Sequence, residues 1–563
     1  MKLPHLLLLA AAVAAPTLFA SPPPEAALKS ITAAEIMQHV RVLSADDFEG
    51  RGPATPGEDK TIAYLTAQLK EMGLAPGNPD GTYVQDVPIV GYTPSPEVNF
   101  TVREKNISMT FPNDYVAYTH QVKADLKLAN TDVVFVGYGI VAPEFGWDDY
   151  KGVDVRGKTV LMLINDPPVP DPQDPTKLDP TVFAGKGMTY YGRWVYKYEI
   201  AAKLGAAACL IIHETGPAAY PYAVVINSNA RETFDIAALD GNAGVVPVQG
   251  WLTLDKTLEI FTAAGKDFAA LKKLAATRAF APVTLDAKAG FNIQTALRNS
   301  KSRNVVALLP GSDPKLKSEY LIYSAHWDHI GRDPNKEGDQ IYNGAADNAS
   351  GTAGMLALAR AYATSPVKPR RSILFFFPAL EEKLLLGTKY YTHNPLYPLE
   401  RTLANLNQDG LNPYGPTSDN RLVGSDDSTL IDLLREKLAL QNRVMTADSK
   451  PENGYYYRSD QFEFAKAGVP ALHGVHGDNY IGQPAGWGTK KAEEYVAQRY
   501  HQVTDEIQPD WTFEGAVIDM QLHFMLGWEL ANADTWPQWK ATSEFKPARD
   551  EMMAKAAAAA AKK

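Results

Sequence analysis

The segment Ser372-Ile373-Leu374-Phe375-Phe376-Phe377 is a near-continuous apolar run, and Glu381-Glu382 follow after only three residues. A strand this apolar has no polar face to offer water, so it belongs in a parallel sheet covered by helices on both sides. Two adjacent carboxylates at the end of such a strand are costly unless something cationic neutralises them. Successive side chains leaving an extended strand point different ways, so one can hold a cation while the other faces a bound water. A solvated acidic pair is the plainer reading, and the apolarity of the preceding strand weighs against it.

The same texture recurs at Tyr320 to Ala325 and at Leu403 to Leu406, with helical patterns between the strands from Asn304 onward. That half reads as α/β, with a mixed, largely parallel sheet flanked by helices. Ahead of it, from about Asp125, short β-runs are divided by turns: Val133 to Val136, Thr159 to Ile164 and Ala206 to Ile212. The stretch holding Pro167, Pro168, Pro170, Pro172, Pro175 and Pro180 cannot be a regular element and is expected to cross the surface as a long excursion. Residues 125–288 therefore read as a separate β-rich module. The chain before it opens with a capping box, Thr32-Ala33-Ala34-Glu35, on a helix that aligns Ile36, Val40 and Leu43. A second helix carries Ile62, Leu65, Leu69 and Met72 and stops at Gly73. An Ala/Lys-rich tail, 546–563, closes the chain.

Charge and cysteine usage narrow the chemistry. The net charge of −10 gives no field that favours nucleic acid. The single cysteine, Cys209, can form neither an intrachain disulfide nor a Cys-rich metal module, so any metal must be held by His, Asp and Glu. Residues 1–20 combine Lys2, an apolar stretch from Leu6 to Ala15 and a cleavage-like Leu18-Phe19-Ala20. That pattern is a secretory signal, which places the mature protein in the periplasm or outside the cell. No run approaches the roughly 20 apolar residues of a membrane span.

Four further polar clusters follow strand ends or precede helices, where an open α/β sheet forms its ligand sites. They are His326-Trp327-Asp328, Asn343 to Gly351 with Asp347, Asn407-Gln408-Asp409-Gly410, and Tyr500-His501. Asp328 shares a strand side with His326 and could orient its imidazole. Singly, each cluster has an ordinary structural explanation, such as a helix cap at Asp347. Together with one glutamate of the pair they supply two histidines and three carboxylates, the mixed N/O set of a zinc-type centre, with Asp328 as an orienting group. That is more than one catalytic zinc needs, which argues for two metals.

The string His326-x-Asp328, Asp347-Asn348-Ala349-Ser350-Gly351, Glu381-Glu382 with Leu385-Leu386-Gly387 behind it, Asp409 and Tyr500-His501 resembles the M28 family of dinuclear zinc aminopeptidases. The resemblance implies a zinc-exopeptidase, phosphorylase/hydrolase-like fold and two zinc ions per chain, or other divalent metals. It implies His326 and Asp409 on one ion, Glu382 and His501 on the other, and Asp347 bridging both. Glu381 would be the general base, Tyr500 the phenol that stabilises the oxyanion, and Arg458 a substrate contact. The substrate would be a peptide or protein N-terminus. A cis peptide is implied between Asp347 and Asn348. Residues 21–124 would be the N-terminal part of the peptidase domain, with Asp47-Phe48-Glu49-Gly50-Arg51 matching, and 289–545 the main catalytic part. Residues 125–288 are similar to an inserted protease-associated (PA) domain. Lys383 departs from the pattern, since many relatives have a small or neutral residue there; it would either depress the pKa of Glu381 or pair outward.

The remaining histidines read as structural or substrate-facing: His473 and His476 lack the glutamate of a zincin motif, and His213-Glu214 lacks a second histidine. His329 and His393 read as satisfied surface or supporting groups, and Cys209 as inert core. Three other readings stay open. A carboxypeptidase or dipeptidase on the same metal centre would demand a free substrate carboxylate, a metal-dead receptor-like protein would bind no ion, and a glutaminyl cyclase would use one zinc. The sequence leaves oligomeric state open.

Overall fold

The computed structural model describes residues 22–238 and 240–561. The expected signal segment lies outside the described residues. Among them, no helix is long and apolar enough to cross a membrane.

Four strands carry the α/β half, in the order Ala471–Gly474, Thr402–Gln408, Tyr320–Ser324 and Ser372–Phe377, all mutually parallel. Every residue of Ser372–Phe377 is buried, as a strand covered on both faces requires. Tyr323 and Phe375 stack across neighbouring strands with ring centroids 6.0 Å apart. The helices Gly351–Thr364 and Glu514–Asn532 cover that face, Tyr362 of one stacking on Phe524 of the other at 4.2 Å. Burying aromatic side chains of this size contributes roughly 1.5–3 kcal/mol each, which makes this layer the rigid base of the strand ends. Ala33–Leu43 joins the same core through Ile36, Val40 and Leu43, with Thr32 Oγ1 accepting from the Glu35 N–H at 3.4 Å.

The β-rich module is fused to this sheet by one strand, Val283–Leu309. Its far end pairs antiparallel with Ser372–Phe377, and its near end with Asp125–Phe135. From there Thr159–Leu163, Ala208–His213 and Val248–Thr253 continue in parallel. Val84–Val102 runs antiparallel along the same strand from Val84 opposite Val305 to Val102 opposite Ala287. The module's hydrophobic core takes in Val98, Phe100, Val102 and Ile107 at one end of the sequence and Phe291 and Ile293 at the other. The expected boundaries at 125 and 288 therefore fall inside that core, because the long two-stranded ribbon contributes its apolar face to both halves. The Pro-rich stretch is irregular apart from a bridge between Pro170 and Leu178. The tail is also more than low-complexity sequence: Lys546–Ala560 is a helix whose buried Arg549 donates to the carbonyls of Leu399 and Thr402.

Candidate metal centre

Each strand that brackets the centre of the α/β half ends at the same edge and delivers a polar group there. Tyr320–Ser324 runs out into His326 and Asp328, Thr402–Gln408 into Asp409, and Ser372–Phe377 into Glu381 and Glu382. Asp347 comes from the turn before Gly351–Thr364, and His501 from the loop after Trp487–Gln498. The Asp347–Asn348 bond is cis.

The side chains converge on two points that share Asp347. Its Oδ1 lies 3.5 Å from His326 Nε2, which is in turn 3.2 Å from Asp409 Oδ1. Its Oδ2 lies 3.3 Å from His501 Nε2, which is 3.0 Å from Glu382 Oε2. Glu381 Oε2 stands 3.8 Å from His326 Nε2, so the two adjacent glutamates face different points. Two groups have ligand atoms lying mutually within 4.8 Å: His326, Glu381 and Asp409, and His329, Asp347 and Glu382.

The donor set fits divalent cations. Asp347, Glu381, Glu382 and Asp409 gather around three imidazoles, those of His326, His329 and His501. Arg51 is a buried cation near them, and its fork is spent on carbonyls. Burial pushes the Glu381 carboxyl well above its usual range; His326 opposes this, while Asp409, Glu382 and Asp460 reinforce it. Glu382 goes the other way, because His501 and His329 outweigh burial and hold it well below the usual carboxylate range. Burial would lower His501, but Glu382 and Asp347 raise it to about 10. Carboxylates crowded this closely, with so few cations among them, make a setting that divalent metals would neutralise. His326, Asp409 and Asp347 would hold one ion, and Asp347, Glu382 and His501 the other, each ion acting as a Lewis acid and acidifying bound water.

Around these groups runs a supporting shell that the sequence reading missed in part. His326 Nδ1 lies 3.2 Å from the Asp328 carbonyl and 3.7 Å from its carboxylate, and Asp328 Oδ1 also accepts from the Glu381 N–H at 3.1 Å. His329, read as a surface or supporting group, takes the supporting place: it is fully buried and sits 2.6 Å from Glu382 Oε1, so each oxygen of Glu382 faces one imidazole. Asp505 accepts from the N–H groups of Ala346 and Asp347, both at 3.1 Å, and fixes the turn that carries Asp347. Gly344, at φ +56°, enters that turn where a Cβ would meet the Asp347 carbonyl at 2.3 Å and the His329 ring at 2.5 Å. The Asp505 side chain lies only four residues past His501, a spacing that could have flagged it.

Tyr500 stacks on His501 at 3.9 Å and is 44% exposed. Its hydroxyl is driven well above the usual phenol range by its crowded setting and by Asp347, Glu382 and Glu381, with Arg458 pulling it down. Arg458 touches none of the proposed ligands; its guanidinium lies 5.5 Å from the Tyr455 ring and 6.0 Å from the Tyr220 ring. Lys383 makes no salt bridge among the described residues: burial lowers its pKa, and the carboxylates acting on it are led by Glu382 and Asp328. His473 lies 3.3 Å from Gln461, and His476 Nδ1 2.8 Å from the Gly477 carbonyl, both outside the two groups.

Residues 304–525, which carry His326, Asp347, Glu381, Glu382, Asp409 and His501, match Peptidase family M28. A curated relative, leupeptin-inactivating enzyme 1 of Streptomyces exfoliatus, is 26% identical over 210 residues, 36% of this chain. The chain spans 43% of that relative's length. Among solved structures, an aminopeptidase from Aneurinibacillus sp. strain AM-1 is similar with a TM-score of 0.48 and 18% identity, over 90% of this chain and 95% of its own. A zinc aminopeptidase from Bacillus subtilis is similar with a TM-score of 0.41 and 17% identity, over 92% and 97% respectively.

Proposed function

We propose that this protein is an exported, metal-dependent aminopeptidase that removes N-terminal residues from peptides with two divalent ions, zinc by preference. The observation that carries the reading is the placement of Asp347, one oxygen toward His326 and the other toward His501. A single carboxylate shared in this way serves two adjacent cations better than one. The M28 match of residues 304–525 supports it.

In this reading Glu381 is the general base. It takes a proton from the attacking water and returns it to the departing amine, a role suited to a carboxylate whose pKa burial has raised. Glu382 and the imidazoles would anchor the metals, and the Tyr500 hydroxyl, kept protonated, would donate to the oxyanion of the tetrahedral intermediate. The module built on Val283–Leu309 is read as a PA domain. Hydrolysis of aminoacyl anilides, abolished by a chelator and restored by zinc, tests the proposal. Cleavage of N-blocked peptides from the C-terminus instead would replace it with the carboxypeptidase reading.

A further inference from the structure

The candidate ligands stand apart from one another by distances that suit atoms sharing a cation. His326 Nε2 is 3.2 Å from Asp409 Oδ1 and 3.5 Å from Asp347 Oδ1. His501 Nε2 is 3.0 Å from Glu382 Oε2 and 3.3 Å from Asp347 Oδ2. Two tetrahedral ligands on one zinc, each bonded at about 2.0–2.1 Å, lie about 3.3 Å from each other. His329 breaks this spacing. Its Nδ1 is 2.6 Å from Glu382 Oε1, too close for two atoms bound to one ion and the length of a short, charge-assisted hydrogen bond. An ionised carboxylate only accepts, so Nδ1 carries the hydrogen and donates.

The fold holds His329 for that one contact. Its backbone N–H donates to the Arg51 carbonyl at 3.3 Å, and its ring meets the His501 ring edge-on at 5.8 Å. Gly344 closes over the imidazole, where a Cβ would come within 2.5 Å of its Cδ2 and 2.6 Å of its Cγ. The other ring nitrogen, Nε2, is buried with no hydrogen-bond partner among the described residues. A buried polar atom left unpaired costs stability, and such groups are kept where function needs them. A lysine or arginine could hold Oε1 equally well, but its fixed charge would repel an arriving dication. An imidazole can donate while neutral and avoids that repulsion.

We propose that His329 is a positioning residue that makes Glu382 a one-oxygen ligand and thereby sets which cation the Glu382 and His501 point prefers. With Oε1 tied to His329, only Oε2 is free to meet an ion there, beside His501 and Asp347. A site limited to one oxygen from this carboxylate suits zinc, which takes few ligands with nitrogen among them. Releasing Oε1 would add an oxygen and favour cations that prefer oxygen donors, manganese among them. The inference rests on the two-ion reading above and adds to it the basis of metal choice.

The test titrates the metal-free full chain with zinc and with manganese against a competing chelator, for the native protein, His329→Asn and His329→Gln. Both amides fill the place of the ring, but Asn presents its N–H where Nδ1 stood and Gln where Nε2 stood. His329→Gln should weaken zinc at one of the two ions by about 10–100-fold, leave the other unchanged, and narrow the zinc-over-manganese preference of the affected ion. His329→Asn should stay close to the native affinities, and its cobalt-loaded form should keep the native visible spectrum because no metal-bound nitrogen is lost. Weak binding with an altered cobalt spectrum in His329→Asn would make His329 a ligand and overturn the proposal. Native affinities in His329→Gln, or equal loss of both ions, would overturn it as well. Should His329→Gln not fold, His329→Asn decides alone, a native zinc preference upholding the proposal and a lost one overturning it. A native chain that takes up fewer than two ions would overturn the two-ion reading, and this inference with it.

Discussion

Arg51 Nε donates to the carbonyl of Trp327 at 2.9 Å, across 276 residues of sequence. Trp327 lies between His326 and Asp328, and the same guanidinium reaches the carbonyls of Leu43, Asn343 and Gly344 at 2.6–2.8 Å. One buried cation thus ties the backbone behind His326 to the turn that leads to Asp347. Arg51→Met would leave four carbonyls without their donor and is expected to destabilise the fold by on the order of 3 kcal/mol or more. The urea midpoint reads this directly, and an unshifted midpoint would show that water replaces the guanidinium.

The glutamate pair should separate cleanly by function. Glu381→Gln is predicted to keep bound metal and lose turnover by about 10²–10⁴-fold, the usual worth of a positioned general base. Glu382→Gln should lose metal as well, since its oxygens face His329 and His501. Metal analysis of the two dialysed variants beside anilide turnover decides the matter, and equal metal loss in both would reverse the assignment.

The turn before Gly351–Thr364 should be equally sensitive at two positions that touch no substrate. Asp505→Asn keeps one acceptor for the Ala346 and Asp347 N–H groups and should weaken metal affinity by about 10–100-fold. Gly344→Ala should do more damage, because its Cβ has nowhere to go. Competition with a chromophoric chelator measures both; native affinity in Asp505→Asn would mean the turn holds its shape unaided.

Acid should weaken the fold through His523. It is buried, 2.9 Å from Gln408 Nε2, and burial lowers its pKa to about 3 from an ordinary value near 6.5. The unfolded chain therefore binds the proton first. The stability from keeping this imidazole neutral is full above pH 6.5 and is lost as pH falls toward 3. One such proton contributes a slope of about 1.4 kcal/mol per pH unit within that window. His523→Gln should show a shallower fall of urea midpoint between about pH 6.5 and 5 than the native chain. An identical slope would place the acid sensitivity elsewhere.

Four of the five candidate ligands were legible because they follow an apolar strand or lead into a helix, where local pattern marks the sheet edge, whereas His501 lies in the loop after Trp487–Gln498. The role of Arg51 was not, since it comes from a tertiary neighbour, Trp327, 276 residues away, and the supporting place of His329 was one of two readings because its partner Glu382 lies 53 residues away. The start of the β-rich module was hidden for a different reason. Pro94 and Pro96 sit inside Val84–Val102 and speak against a strand by local rules, yet they pair opposite Thr295 and Ile293 within a ribbon held along its whole length.

Native mass spectrometry of the full chain, before and after chelation and zinc readdition, asks most directly whether one bridging carboxylate organises two cations. Two ions per chain are expected, at most one in Asp347→Asn, with anilide hydrolysis returning only at the full complement. A chain that holds no ion, or that works at full rate with the chelator present, would contradict the two-metal centre.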